Sequence, residues 1–180
     1  KGYNHPLKRG KWDATEGGIR VPFLISGPKI KSNSQTNVPI SFSDLLPTII
    51  DLAGEEISHE KLDGGSFKKI LYDKGKKVKR NFDGMVFHVP YENKIALARA
   101  HSSIIINKMK LIKFYDNNEI KLFNIENDLS ENKDLSNFNK KLSKKLELKL
   151  ENYLKSVRAP KWKPGITWKI NPIKIINSYH

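Results

Sequence analysis

Apolar and polar residues alternate at two places in the first third of the chain, which is the pattern of half-buried β-strands. The alternation predicts one strand over 19–25, entering a core, and a shorter strand over 38–42. Residues 45–53 are mostly apolar and predict a short helix, with Gly54 as its C-terminal cap.

Apolar runs follow one another closely after residue 83 and predict a small antiparallel sheet. The turn chemistry of Asp116-Asn117-Asn118 predicts a hairpin between the last two runs. The predicted strands cover residues 85–89, 95–99, 103–106, 110–115 and 119–124.

A long amphipathic helix is predicted over 138–157, where apolar side chains recur at helical spacing. Such a stripe is typical of a helix that packs on a sheet. The basic run 74–80 has few apolar residues and predicts a surface segment. We place the boundary between two predicted domains there, giving 1–75 and 76–180. The stripe consists of Phe138, Leu142, Leu146, Leu150, Leu154 and Val157.

Composition limits the classes of function. The 180 residues contain no cysteine, which excludes disulfides and thiolate metal ligands, and no apolar run of the length that a membrane span needs. The chain begins with Lys1 rather than Met, so we expect it to be processed or incomplete. The net charge of +14 favours anionic partners such as sulfated glycans or nucleic acid, although lysines on solvated faces explain the charge equally well.

The stretch GKWDATEGGIRVP over 10–22 holds the strongest candidate chemistry. Gly17 and Gly18 permit positive φ or a close approach of another backbone segment. Lys11 lies on the loop before them, and a lysine fixed on a rigid loop is a cation suited to a tetrahedral oxyanion. The alternative is a solvated surface lysine.

The stretches RGKWDATEGGIRVPFLISGP and VPISFSDLLPTIIDLAG closely resemble the part of type I sulfatases that follows their last metal-binding aspartate. MKLIKFYDNNEIKLFNIENDLSENKDLS resembles the C-terminal segment of the same enzymes. The resemblance implies an α/β fold: a partial alkaline-phosphatase-like sulfatase fold, with the end of the central-sheet domain and a C-terminal antiparallel sheet packed by a long helix. It also implies that Lys11 binds the sulfate group and that Glu16, Gly17, Gly18 and Arg20 hold the loop.

Type I sulfatases use a formylglycine, made from Cys or Ser in a C/S-x-P-S-R motif, beside a calcium ion held by Asp and Asn ligands. Neither that motif nor a convergent set of oxygen ligands occurs in this sequence. The resemblance therefore implies calcium as the cofactor, with its ligands upstream of Lys1. We expect the chain to carry part of a site and to be inactive alone.

Three histidines are candidates for substrate contact, because imidazole titrates near neutral pH and donates protons to leaving groups. His5 lies on the loop that leads to Lys11. His88, in FHVPYE, resembles the W-H-x-P-H-Y segment of glycan-type sulfatases, and His101, in RAHSSIIINKMKLIK, resembles their P-H-S-A-I-R-x-G-x-x-K-L-I segment. Val89 and Tyr91 depart from the first pattern and Ile106-Asn107 from the second. The alternative for each is a structural or exposed histidine.

The sequence thus predicts a sulfuric ester hydrolase fragment that acts on a sulfated carbohydrate or an aryl sulfate ester. A phosphate or phosphonate monoester hydrolase of the same superfamily, and a non-catalytic basic module that binds polyanions, stay open as alternatives. We expect no nucleic-acid partner, because no recognised nucleic-acid motif is present. The resemblance favours a periplasmic or secreted protein, and the sequence does not predict an oligomeric state.

Overall fold

A computed structural model describes residues 4–56, 62–92 and 99–163. Contacts group these residues into two units, one within Lys1–Val21 and Val86–His180, the other within Pro22–Met85. The N-terminal 21 residues join the C-terminal sheet because buried hydrogen bonds and ion pairs connect them. This grouping differs from the division 1–75 and 76–180, which stays a prediction about the domains.

The first unit is built on a four-stranded sheet in the order β1-β2-β3-β4. β2 pairs antiparallel with β3, and β3 pairs antiparallel with β4. The predicted antiparallel sheet is therefore confirmed, while most of the predicted strand 95–99 lies outside the described residues. The strands are β1 (Met85–Val89), β2 (His101–Ile106), β3 (Met109–Phe114) and β4 (Ile120–Asn124).

Helix α4 (Lys140–Ser156) covers one face of this sheet, as the amphipathic stripe predicts. Ile104, Leu111 and Leu122 are cross-strand neighbours and are fully buried. Leu146 and Leu150 of α4 complete this core. The helix begins later than the stripe suggests: the Asn139 side chain caps it by accepting from Leu142 N–H, and Phe138 precedes it with 84% of its surface exposed.

The other face of the sheet holds polar side chains that are buried by the N-terminal segment rather than by α4. Alternation along β2 and β3 turns His101 and Lys110 away from the α4 side. Both residues are completely buried. They contact the N-terminal segment, which includes the single-turn helix α1 (Glu16–Ile19). Loop and helix thus pack on opposite faces of one small sheet.

The second unit contains α2 (Leu45–Ala53), preceded by a 3-10 turn at Phe42–Asp44, and the short helix α3 (Lys68–Leu71). Asp44 is fully buried, accepts from the backbone N–H of Ser41 and Gly65, and pairs with Arg80 at 2.6 Å. The predicted cap is present, since Gly54 follows α2 with φ +86°.

The two strands predicted near the N-terminus are wrong. Residues 16–19 form α1, and no strand occurs over 20–25 or 38–42. A strand needs a hydrogen-bonded neighbour, and the described residues supply none to these segments. Val21 and Leu24 consequently expose 78% and 94% of their surfaces. No helix among the described residues has the length and apolarity that crossing a membrane requires.

Candidate functional site

Lys11 lies in the turn that begins the candidate site, and its side chain is exposed. Its Nζ lies 5.1 Å from the centroid of the Trp12 ring, a cation–π distance. Trp12 has φ +85°, a conformation that costs a non-glycine residue about 1–3 kcal/mol. Backbone strain of this kind persists only where the surrounding structure fixes it, so the contacts of this loop are decisive.

Backbone contacts at the paired glycines hold the loop. Gly17 N–H and Thr15 Oγ1 both donate to the Lys8 carbonyl, at 2.9 and 2.8 Å. A Cβ on Gly17 would lie 2.4 Å from that carbonyl oxygen, and a Cβ on Gly18 would lie 2.1 Å from the Asp13 carbonyl oxygen. Neither glycine has positive φ. Close backbone approach is therefore what both positions require.

A buried ionic cluster connects the loop to the sheet. Lys110 Nζ of β3 lies 2.9 Å from Glu16 Oε1 and 2.9 Å from Glu131 Oε1. Only the first contact has hydrogen-bond geometry; the second is a contact between charges. Glu131 Oε2 also accepts from the Glu16 N–H at 2.8 Å. All three side chains are at most 1% exposed.

Two peripheral cations balance this cluster. Arg20 Nε donates to Glu16 Oε2, and Lys8 Nζ donates to the Glu131 carbonyl at 2.6 Å. Burial raises the pKa of the Glu131 carboxyl above its usual value, and the ammonium of Lys110 offsets only part of that rise. Removing either carboxylate or the ammonium would leave a buried charge without its full set of partners, which is strongly destabilising. The predicted loop-holding role of Glu16 and Arg20 agrees with these contacts, although no substrate-bound geometry tests it.

His101 is a second buried connection between sheet and loop. Its Nε2 accepts from the Ala14 N–H at 2.9 Å, so the ring proton is on Nδ1, which donates to the Arg99 carbonyl at 2.7 Å. Burial lowers the pKa of His101, which favours this neutral tautomer. In this structure the His101 ring holds the backbone at Ala14, next to Asp13. Its substrate contact stays a prediction.

His88 of β1 also has both ring nitrogens bonded. Nε2–H donates to the Pro160 carbonyl at 2.8 Å, which leaves Nδ1 to accept from Ser102 Oγ at 2.5 Å. The Tyr115 hydroxyl then donates to Ser102 Oγ at 2.7 Å. Burial lowers the pKa of His88. The ring is therefore a neutral, oriented group, and its substrate contact stays a prediction.

A concave pocket of about 340 Å³ lies where the loop meets β1. Trp12, Asp13, His88 and Tyr91 contribute its polar and aromatic lining. Lys11 does not line this pocket, but its ammonium contacts the ring of Trp12, which does. His5 is exposed on the lead-in to the loop and does not line the pocket.

Metal ligands do not converge in the described part of the chain. Residues 4–56, 62–92 and 99–163 contain no group of three His, Cys, Asp or Glu side chains that fits a metal ion. The calcium implied by the resemblance therefore has no ligand set among these residues.

The pattern analysis missed three residues of this site: Asp13, Lys110 and Glu131. Lys110 lies in an alternating strand, where a lysine normally indicates the solvated face. Glu131 lies in a polar turn, where a carboxylate is normally exposed. Nothing in the positions of Lys110 and Glu131 along the sequence shows that their side chains meet.

Replacing Lys110 by Met should lower the free energy of unfolding by about 3–5 kcal/mol, because Glu16 and Glu131 are then buried without their cation. Chemical denaturation of the purified protein measures this loss. Lys108→Met is the matched control: that lysine also pairs with a glutamate, Glu126, but is 57% exposed. The control should cost no more than about 1 kcal/mol. Equal losses in the two variants would contradict the structural importance of the cluster.

His101 should make stability pH-dependent. Because its pKa is lowered in the folded state, the unfolded protein binds more protons below about pH 6.5, and folding loses up to about 1.4 kcal/mol per pH unit there. The His101→Gln variant lacks this titration. The difference in unfolding free energy between wild type and variant should therefore shrink as pH falls from 7.5 to 5. A difference that stays constant over this range would show that His101 is not held neutral.

Relatives of this chain are sulfatases. A "Sulfatase" of Formosa agariphila (strain DSM 15362 / KCTC 12365 / LMG 23005 / KMM 3901 / M-2Alg 35-1) is 26% identical over 184 residues, covering 96% of this chain and 33% of that protein. The crystal structure of Ps i-CgsB superposes with a TM-score of 0.72 at 28% identity, covering 98% of this chain and 39% of that one. The same protein has been solved in complex with k-i-k-neocarrahexaose. The chain thus spans between a third and two fifths of the length of these relatives.

The phosphonate monoester hydrolase SpPMH from Silicibacter pomeroyi shares the fold alone, with a TM-score of 0.52 at 16% identity over 73% of this chain and 28% of that one. Together these likenesses confirm the predicted fold class, an α/β part of the alkaline-phosphatase-like sulfatase fold. The family model described as "N-sulphoglucosamine sulphohydrolase, C-terminal" matches residues 10–160. Since that match covers most of the sequence, the chain belongs to this family of sulfatase C-terminal regions.

Proposed function

We propose that this chain is the C-terminal part of a sulfuric ester hydrolase and supplies the cation that binds the sulfate group. One observation carries the proposal: Lys11, in a chain of this family, lies on a loop fixed by buried contacts and touches the ring of Trp12, which lines a concave pocket. A lysine on an ordinary surface loop would need no such support.

Lys11 has the chemistry that a sulfate ester requires. Its ammonium neutralises charge on the terminal or bridging oxygens, and that charge grows on the bridging oxygen as the ester bond breaks. A cation already held in place needs no reorganisation during the reaction. The strained φ of Trp12 and the close packing of Gly17 and Gly18 support such preorganisation.

The three histidines have different places in the proposal. His88 and His101 are neutral and bonded to other atoms of the chain, so they orient the pocket wall and the loop respectively. His5 is exposed on the lead-in to Lys11 and does not line the pocket, so its part in the proposal rests on its place in the sequence alone. All three stay candidates for substrate contact.

Other residues of the full-length protein would supply the nucleophile and the metal. We infer a formylglycine and calcium from the family resemblance, and we assign no metal ligand to the described residues because none converge. The chain alone should then be inactive. A periplasmic or secreted location belongs to the same inference.

A sulfated carbohydrate is the substrate class that we favour over an aryl sulfate. Ps i-CgsB, whose similarity covers 98% of this chain, has been solved with k-i-k-neocarrahexaose. A pocket with Trp12 and Tyr91 in its lining also suits a sugar ring. A phosphate or phosphonate ester stays the enzymatic alternative, because a lysine binds either tetrahedral anion. The basic polyanion-binding module is the alternative without catalysis.

Replacing Lys11 by Ala in the full-length protein should lower kcat/KM for a sulfate monoester about 10²–10³-fold, since the variant loses one preorganised contact to the reacting group. Lys145→Ala, at an exposed position of α4, is the matched control and should keep full activity. The initial rates of 4-nitrophenyl sulfate and 4-nitrophenyl phosphate hydrolysis measure both the effect and the class of ester.

Three outcomes would contradict the proposal. Unchanged turnover in Lys11→Ala removes the lysine from the mechanism. Faster hydrolysis of the phosphate ester favours the phosphate or phosphonate monoester hydrolase. Hydrolysis of neither ester, with salt-dependent retention of polyanions, favours the non-catalytic module.

A further inference from the structure

Asp13 has one carboxylate oxygen with no partner in the described part of the chain. Oδ1 accepts from the Thr15 N–H at 2.9 Å. Oδ2 is buried and has no hydrogen bond to any described residue, although Asp13 is only 4% exposed. Buried polar atoms nearly always have a donor or acceptor opposite them. The free acceptor therefore indicates that a donor from another molecule or segment meets it.

The pocket shows where this donor enters. Asp13 lines the pocket of about 340 Å³ together with Trp12 and Tyr91. Thr15 fixes the carboxylate from one side, and the His101 contact to Ala14 fixes the next backbone unit. The hydrogen bond to Oδ1 therefore holds the carboxylate of Asp13 in one orientation at the pocket wall.

The surroundings select the chemistry of the ligand. A carboxylate attracts a hydroxyl donor and repels a second sulfate or carboxylate. Trp12 and Tyr91 offer apolar ring surface for the C–H face of a sugar. The Cα atoms of Lys11 and Asp13 are two peptide units and therefore at most about 7.6 Å apart. The Lys11 ammonium contacts the ring of Trp12, which lines the same pocket as Asp13.

We propose that Asp13 is a specificity residue, which accepts a hydrogen bond from a free sugar hydroxyl next to the sulfated carbon and excludes a sulfate from that position. The proposal rests on the proposed function, because it concerns the sugar carbon next to the one whose sulfate Lys11 binds. It adds a restriction on substrate: the neighbouring hydroxyl is unsulfated when the ester at Lys11 is cleaved.

Asp13→Asn in the full-length protein tests this directly. The amide Oδ1 still accepts from Thr15, while Nδ2 replaces the free acceptor by a donor. The panel consists of 4-nitrophenyl sulfate, the sulfated monosaccharide that wild type hydrolyses best, its deoxy analogue at the adjacent carbon, and the analogue sulfated at that carbon. Glu126→Gln, an exposed acidic residue paired with Lys108, is the charge-matched control.

Wild type should hydrolyse the hydroxyl-bearing sugar about 10–100-fold better in kcat/KM than its deoxy analogue, the loss expected for a hydrogen bond to a charged acceptor. Wild type should reject the disulfated sugar more strongly still. Asp13→Asn should lose the first preference and gain turnover of the disulfated sugar. Glu126→Gln should behave as wild type on all four compounds.

The wild-type measurements remain decisive if Asp13→Asn does not fold. Equal wild-type turnover of the hydroxyl and deoxy sugars overturns the role of Asp13 and leaves the proposed function intact. An equal loss on 4-nitrophenyl sulfate and on the sugar in a folded Asp13→Asn shows a structural role and also overturns it. Absence of wild-type turnover of every sulfate ester instead removes the proposed function itself.

Discussion

The contact of one buried ammonium with two buried carboxylates is the interaction on which the site depends. Lys110 projects from the sheet face opposite α4, and Glu16 and Glu131 reach it from segments far away in sequence. A buried lysine without carboxylate partners would lose its charge or its position. The cluster therefore fixes where the N-terminal segment lies on the sheet, and with it the loop that carries Lys11.

Close backbone packing at the paired glycines also holds the N-terminal segment in place. Gly17 and Gly18 let α1 approach the Lys8 and Asp13 carbonyls at distances that a side chain would prevent. His101 adds a neutral hydrogen bond to Ala14 from the same sheet face. The α4 side of the small sheet thus provides the hydrophobic core, and its other side positions the loop that carries Lys11.

Periodicity was sufficient for the elements whose partners are near in sequence. The β3–β4 hairpin and the stripe of α4 satisfy their own hydrogen bonds or bury one face, so local pattern predicts them. It failed over 19–25, because alternation shows that a segment can be a strand but not that a neighbouring strand is present. It also missed Lys110, Glu131 and the orphan oxygen of Asp13, whose roles arise from contacts about 90 to 115 residues apart or from an unfilled acceptor. The resemblance to sulfatases singled out Lys11 as the sulfate-binding residue, and this role stays a prediction, since the structure places the side chain at the exposed surface.

The most direct measurement is a crystal structure of the full-length protein with a bound sulfated monosaccharide. The account predicts that Lys11 Nζ lies about 3 Å from a sulfate oxygen, with Lys110 still between Glu16 and Glu131. A sulfate bound elsewhere, with Lys11 directed into solvent and the loop detached from the buried cluster, would contradict it.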